Sequence, residues 1–409
     1  FHDDSPTRTS SSAQGLSTTV MTDLVAIKRA RVGVTLSFLT HGFIASSFFA
    51  RIPDFKTRLQ LSNTVLGFCL LTASLGVLAA LGPVGKLTAQ KGSSAVLTKT
   101  SYFLVIVAPL VGLSFNAISF AATLFILGVA IASQDVSMNT HGVTLEQKAD
   151  ARYLGRFHAF WSVGGLLGAI IGGLFAQFKI SEFNHILLVC ALIAVNIFFN
   201  NQRFLESSVD KHVYEEDAAK KKRKPRLIFI MGLLGLAGSI GEGSAGDWGG
   251  VLARETFNAS HFVGTLPFIA YSFTMVLGRF FGDQLATRFG ANRILKVAGV
   301  IGGFGMASGL IIGGNPGIIF GWFMFGIGLS TVIPLLFSAA GSMANKRFNG
   351  EISPAEAVAM ISGISYFGFI VGPPLMGFLA DAITLRWAML VPATLAIIIS
   401  ASSKIFTSD

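Results

Sequence analysis

The chain is short of charge. Asp, Glu, Lys and Arg together make up 13% of its 409 residues, about half the share of a soluble globular domain. A soluble chain of this length divides into domains with polar surfaces and linkers, and there are too few polar side chains here to coat them. Cysteine is rarer still. Cys69 and Cys190 both fall inside apolar runs, which argues against a disulfide framework or a cysteine-based metal site. Acidic residues number 21 against 31 Lys and Arg, a formal charge of +10. A nucleic-acid surface would cluster that excess on one folded face among aromatics. Here it sits in short gaps between apolar runs, so no nucleic-acid partner is expected. There is no HExxH or His-rich metal motif, no Gly-x-Ser-x-Gly elbow and no P-loop, so an enzyme, a metal site and a cofactor are not expected.

What remains is apolar: 52% of residues are hydrophobic and the mean hydropathy is +0.65. The solvent for most of this chain is lipid. A membrane helix needs about 20 mostly apolar residues. Uncharged runs give spans at Val32–Ala50 and Leu59–Gly85, then a pair in Thr100–Gln134 divided near Phe115-Asn116. Phe157–Phe178, Phe183–Gln202, Leu227–Gly246 (interrupted by Glu242) and Thr256–Gly278 follow. Val297–Asn345 breaks at Gly313–Gly317 into a ninth and a tenth, and Ala357–Ala380 and Trp387–Ser403 end the series. The expectation is an all-α membrane protein of twelve helices.

Placing the N-terminus inside puts 24 of the Lys and Arg residues on the cytoplasmic side and 6 outside, with Arg279 at a helix end. The positive-inside rule therefore puts both termini in the cytoplasm. Residues 1–27 read as a disordered tail, 28–203 as one six-helix bundle, 204–226 as a basic cytoplasmic linker carrying Lys220–Lys224, and 227–405 as a second bundle. The first twenty residues are rich in Ser and Thr and lack the apolar core of a signal peptide. A shift of 198 residues lays Ser62–Leu97 on Ser260–Leu295, matching Ser62/Ser260, Val65/Val263, Ser74/Ser272, Leu87/Leu285, Gly92/Gly290 and Leu97/Leu295. The same shift lays Phe125–Gly128 on Phe323–Gly326. Two pseudo-symmetric six-helix halves are a transporter plan.

Gly282-Asp283-Gln284-Leu285-Ala286-Thr287-Arg288-Phe289-Gly290, followed by Arg293, resembles the cytoplasmic loop signature of the major facilitator superfamily. Its counterpart Gly85-Lys86-Leu87-Thr88-Ala89-Gln90-Lys91-Gly92 keeps the glycines but has Ala89 where that family usually has Asp. Three further stretches resemble a bacterial inner-membrane branch of the family, the YbjJ-like proteins. They are Ser133–Asn139, Phe157–Gly165 and Glu242–Trp248. The resemblance implies a cell inner (plasma) membrane location and a monomer. It also implies a central cavity lined mainly by the first, fourth, seventh and tenth helices and worked by alternating access.

An ionisable side chain within a span costs at least about 2.5 kcal/mol and is a functional candidate by default. Asp135 in the fourth helix, Glu242 and Asp247 in the seventh and His41 in the first meet that description. Asn139 is one helical turn from Asp135 and shares its face, while the adjacent Gln134 points elsewhere. A carboxylate in such a setting is expected to exchange protons or hold substrate, with an ion pair to Arg156 as the structural alternative for Asp135. Trp161 and His158 share a face of the fifth helix, where Trp161 can stack on an apolar ring. His141, near a cytoplasmic helix end, reads as solvated. Arg279, Asp283 and Arg288 are gating candidates, with Asp283 expected to pair with Arg156 across the halves. Glycines of the fifth helix (Gly164, Gly165, Gly168, Gly172, Gly173) and the Gly372-Pro373-Pro374 stretch of the eleventh permit close crossing and bending, so the halves can rock.

With acids and one His but no Lys or Arg at mid-membrane, the cavity would repel anions. The expectation is a secondary active transporter for a small neutral or cationic solute, sugar or polyol favoured, coupled to protons in preference to sodium. An efflux antiporter is the alternative, and a non-transporting receptor or scaffold is the alternative from another class.

Overall fold

The computed structural model describes residues 10–151, 153–210, 226–347 and 354–406. Among the described residues all regular structure is helical. Eleven helical segments among them are long and apolar enough to cross a bilayer. The final expected span is covered by a shorter apolar stretch, Leu385–Ala401. It is divided into α14 (Leu385–Ala388) and α15 (Leu390–Ala401).

The first half of the chain holds α1 (Ser10–Phe49), the short α2 (Ile52–Arg58), α3 (Asn63–Lys91), α4 (Ser93–Val107), α5 (Ala117–Ala149), α6 (Leu154–Gln177) and α7 (Glu182–Asn200). The second half holds α8 (Arg226–Phe257), α9 (Leu266–Phe289), α10 (Ala291–Ile312), α11 (Gly314–Leu329), α12 (Val332–Arg347) and α13 (Pro354–Ile383) before α14 and α15. Helix α1 reaches back into the segment read from sequence as a tail. The basic cluster Lys220–Lys224 lies outside the described residues.

Local chemistry sets the helix boundaries. Ser62 caps α3 by accepting the Val65 N–H at 3.2 Å. Asn116 and Ser119 exchange bonds in a capping box that opens α5, satisfying amides that lipid cannot. Gly92 and Gly290, matched by the 198-residue shift, adopt the same left-handed turn, with φ of 84° and 86°. Each ends one span and starts the next, a conformation glycine adopts without steric cost. The internal repeat is therefore a repeat of backbone geometry as well as of residues.

Within each half the helices pack backbone to backbone at glycines. A Cβ on Gly164 of α6 would fall 2.0 Å from the Leu39 carbonyl of α1, and one on Gly128 of α5 would fall 2.0 Å from the Ala73 carbonyl of α3. The fifth-span glycines, expected to serve rocking between halves, thus mainly join α6 to α1. Gly173 is the exception and approaches Thr265 of the second half. The halves meet along two seams, α3 against α13 and α6 against α9. On the first seam Gly67 lies under the Pro373 carbonyl and Gly377 under the Asn63 carbonyl, as the proline and glycine stretch of the eleventh span suggests.

One face of the bundle, the face bearing α2, is tied shut across the halves. Asp54 accepts from Arg51 Nε at 2.5 Å and pairs with Arg254 of α8, with His261 Nδ1 at 3.3 Å. Lys56 pairs with Glu255. Gln177 accepts the Phe262 N–H at 3.1 Å. Asp381 accepts from Asn63 Nδ2 and the Thr64 N–H, both at 2.8 Å. The opposite face is more loosely packed. A Cβ on Gly82, Gly85, Gly155 or Gly363 would meet nothing within 4 Å. The cleft between the halves is closed at the α2 face and spread at the other.

Candidate functional site

The side chains at the middle of the cleft come from α1, α5 and α6 on one side and α8, α9 and α13 on the other. Arg279 ties the sides together. Its Nη2 donates to Glu242 Oε1 at 3.1 Å within the second half, and its Nη1 donates to Ser162 Oγ of α6 at 3.0 Å. The two side chains of the ion pair remain 24% and 28% exposed. Because the pair faces Ser162 across the seam, that exposure is to the cleft and not to lipid.

This overturns the placing of Arg279 at a helix end. The apolar run stops at Gly278, but α9 continues to Phe289, so the guanidinium stands well inside the helix. The expectation of a cleft without cations falls with it, since Arg279 neutralises Glu242. Arg279 and Ser162 link the halves here. Arg156 is exposed and makes no ion pair among the described residues, with Asp135 or with any other acid. The Asp283 side chain lies outside the described residues. Arg288 is exposed and lies over its neighbour Phe289, 5.3 Å from the ring centroid.

Asp135 and Asn139 share one face of α5 as the spacing predicts. Asn139 Nδ2 donates to Asp135 Oδ1 at 3.1 Å and to its backbone carbonyl at 2.9 Å. Both residues are half-buried. Asp135 lies within Coulombic reach of His41, His158 and Tyr366, and among the described residues no Lys or Arg forms an ion pair with it. Gln134 is buried and donates to Ser101 Oγ of α4 at 2.9 Å; it belongs to the packing of the first half and not to the cleft.

His41 is locked by two partners. Trp161 Nε1–H donates to His41 Nδ1 at 2.9 Å, which leaves the ring proton on Nε2, 3.3 Å from the Ile131 carbonyl. The imidazole is therefore held as one neutral tautomer. Trp161 positions His41 in addition to presenting a ring face. Replacing it in Trp161→Phe leaves Nδ1 without its donor. The expected cost is about 1–3 kcal/mol, measured as the loss of unfolding free energy in mixed micelles. His158, one turn earlier, is exposed toward the cleft and packs edge-on to Phe38 at 5.1 Å.

His141 is not solvated. It is 1% exposed, 2.7 Å from Ser93 Oγ through Nδ1, and accepts the Leu205 N–H at Nε2 at 3.2 Å. Asp210 completes this anchor by accepting the Ser93 N–H at 3.1 Å and the Thr144 hydroxyl at 2.9 Å. The cluster pins the segment after α7 to the base of the first half. Its Ser–His–Asp composition is not a nucleophile arrangement: with Nε2 accepting, Nδ1 donates to the serine instead of taking its proton. Among the described residues no group of His, Cys, Asp and Glu suits a metal ion.

Sequence reasoning missed Ser162, Tyr366, Tyr271 and the ties at the α2 face. Tyr271 lies near Glu242 and Arg279 and packs against Trp322 at 6.1 Å. A signal for the ties existed. The 198-residue shift lays Lys56 on Arg254, so equivalent helix ends of the halves carry cations, each answered by an acid from the other half.

Two helical halves, tied at one face and spread at the other, with a charged bridge between them at mid-cleft, have the build of a membrane transporter. The chain belongs to the Major Facilitator Superfamily, whose family model matches residues 34–355. It is 27% identical over 376 residues to the uncharacterised transporter y4wD of Sinorhizobium fredii, covering 91% of this chain and 97% of that one. It is 28% identical over 380 residues to an uncharacterised MFS-type transporter of Yersinia pestis, covering 92% and 96%. Among solved structures, the nucleoside transporter NupG superposes with a TM-score of 0.70 at 14% identity, over 93% of this chain and 99% of that one. A bacterial homologue of the human lysosomal transporter Spinster, inward-facing and unoccupied, superposes with a TM-score of 0.68 at 13% identity over 93% and 98%. At such identities the likeness is one of fold. The chain is a transporter and not an enzyme.

Proposed function

We propose that this protein is a secondary active transporter that carries a small neutral or cationic polar solute by alternating access, coupled to protons, as a monomer in the cell inner membrane. The observation that carries this reading is the Arg279 bridge. One guanidinium holds Glu242 in its own half and Ser162 in the other, so a solute that competes for either partner changes how the halves are held. Positive-inside counting puts the α2 face outside. With that face tied and the other spread, this is the inward-open state, and both termini are cytoplasmic.

The solute class follows from the charge left over. Glu242 and Arg279 cancel, while Asp135 has no cation. The remaining groups, Asn139, Ser162, Trp161, His158 and Tyr366, are hydrogen-bonding or aromatic. Hydroxyl-rich solutes and protonated amines suit that lining, and anions do not. The Glu242–Trp248 and Phe157–Gly165 motifs, which support the YbjJ-like branch, are the stretches that supply Glu242 and Ser162 to the bridge.

A thermal-stabilisation screen of the purified full chain against sugars, polyols, nucleosides and amines tests this. The expected result is a solute that raises the melting temperature of the wild type but not of Asp135→Asn. A solute that stabilises Asp135→Asn and Arg279→Met as well as wild type would place the binding site elsewhere and overturn the reading.

A further inference from the structure

Two arginines at the base of the first half stand together without an acid. Arg29 lies on α1, and Arg203 ends the short helical turn Asn201–Arg203 that follows α7. Three contacts fix the register between them. Asn200 Nδ2 donates to the Gly33 carbonyl at 2.8 Å, and Arg29 Nη2 donates to the Gln202 carbonyl at 3.2 Å. A Cβ on Gly33 would fall 3.2 Å from the Cβ of Arg203. Gly33 is one helical turn from Arg29, about 6 Å along the axis. The two arginines therefore leave the same α1–α7 joint one turn apart. Both are exposed. Among the described residues neither forms an ion pair. Glu206, the nearest acid to Arg203 along the chain, accepts from Ser208 Oγ at 3.4 Å. Like charges held side by side repel, and an anion between them relieves the repulsion.

Each arginine also stands at the end of an apolar stripe. On α1, Val32 and Leu36 follow Arg29 at helical spacing, the first exposed and the second half-buried. On α7, Leu192, Val195 and Phe199 recur at that spacing and are exposed, and Arg203 comes four residues after Phe199. In a chain that spans a bilayer, an exposed apolar stripe on a peripheral helix is covered by acyl chains. Helix α7 packs against α1 and α4 of its own half, which leaves its other side for lipid. On the orientation proposed above, the two arginines stand at the cytoplasmic leaflet, at headgroup level. A merely solvated charge would account for one free arginine. It does not account for a guanidinium pinned to a backbone carbonyl beside a second cation, with apolar stripes running from both.

We propose that the α1–α7 joint is a binding site for an anionic phospholipid of the cytoplasmic leaflet. Arg29 and Arg203 take the phosphate oxygens through charge-assisted hydrogen bonds, and the acyl chains lie along Val32 on one side and Val195 and Phe199 on the other. The lipid is anionic because a zwitterionic headgroup brings its own ammonium to a place that already holds two cations. Free phosphate has the same headgroup chemistry but no use for the stripes. Bound, the lipid bridges α1 to the end of α7, where the chain enters the segment that Leu205 and Asp210 anchor on His141, Ser93 and Thr144. The site is independent of the solute and of the Arg279 bridge.

Native mass spectrometry of the purified full chain tests this, with the protein stripped of lipid and titrated with phosphatidylglycerol or with phosphatidylcholine of the same acyl chains. The wild type is expected to retain one phosphatidylglycerol in preference to phosphatidylcholine. The double variant Arg29→Gln/Arg203→Gln is expected to bind phosphatidylglycerol about thirtyfold more weakly, roughly fivefold for each arginine, with phosphatidylcholine unchanged. Arg293→Gln/Lys296→Gln removes two exposed cations from the second half and is expected to keep the preference. If the first pair does not fold, Arg203→Gln alone carries the test, with a loss of about fivefold. Equal binding of the two lipids by the wild type overturns the site. So does an equal loss in the two charge-matched pairs, which reads as diffuse attraction, and so does full binding by Arg203→Gln. Inorganic phosphate is the last arm. Phosphate that binds the lipid-free chain, displaces phosphatidylglycerol and is lost in Arg29→Gln/Arg203→Gln assigns the arginines to a free anion and overturns the lipid proposal. Failure of phosphate to displace the lipid supports it.

Discussion

Arg279→Met is expected to cut uptake of the stabilising solute into proteoliposomes by at least about a hundredfold, because removing one partner of a largely enclosed ion pair costs about 3–5 kcal/mol. The substitution removes two bonds at once. Glu242 is left as a carboxylate without its cation, and Ser162 loses the only bond that ties α6 to the guanidinium. The contributions separate in the double variant. Adding Glu242→Gln to Arg279→Met removes the stranded charge, so the melting temperature is expected to recover toward wild type. Transport is expected to stay low, because no donor reaches Ser162. If Arg279→Met alone transports like wild type, the bridge is structural decoration and the functional reading loses its main support. Arg279→Lys is a sharper control: an ammonium is a single point donor and cannot replace a fork that serves two acceptors in two halves.

The second large effect is expected at the α2 face. Asp54 is the hub that Arg51, Arg254 and His261 share, and its side chain is only 10% exposed, with those of Arg51 at 3% and Arg254 at 15%. Asp54→Asn leaves two enclosed guanidinium groups facing each other. If the usual cost of about 3–5 kcal/mol falls on the closed state alone, the ratio of open to closed face shifts by roughly two to almost four orders of magnitude. Spin labels at Gln60→Cys and Asn258→Cys, exposed on opposite halves of this face, read that shift directly, as a dominant long-distance population. An unchanged distance distribution would show that the Phe49–Phe268 contact and the α3–α13 seam hold the face without the ions. Lys56→Met is the internal contrast. Glu255 is 40% exposed, and a pair so open to solvent is worth about 0–1 kcal/mol, so the face is expected to stay closed in that variant.

The parts of the site that were legible in the sequence share one property: they depend on spacing within a single helix. Asp135 and Asn139 are four residues apart on α5, and they do share a face and a hydrogen bond. Glu242 and Asp247 stand in α8 as an apolar run with acids requires. The twin glycine turns at Gly92 and Gly290 were visible as a repeat, because the same backbone need recurs in each half. The parts that were misread depend on partners far along the chain. Arg279 looked like the end of a span because an apolar run must stop at a charge. A charge with a carboxylate on the neighbouring helix need not stop anything, and that carboxylate is 37 residues away. His141 looked solvated because a histidine near a helix end often is; here Ser93 and the Leu205 amide, brought in by α4 and the segment after α7, satisfy both ring nitrogens. Gln134 does point away from the Asp135 face, as successive helical residues about 100° apart must, and its partner Ser101 was not legible.

Composition and hydropathy, read along the chain alone, determine that this protein lives in lipid, that it is helical, that it is built twice over, and which acids lie at membrane depth. These follow from the cost of unpaired backbone and buried charge in hydrocarbon, a cost each segment meets locally. Which charges cancel, which acid is left without a partner, and which face is shut are decided only when the halves meet. Those outcomes rest on distances of a few ångströms between residues up to 318 positions apart, and no local periodicity encodes them.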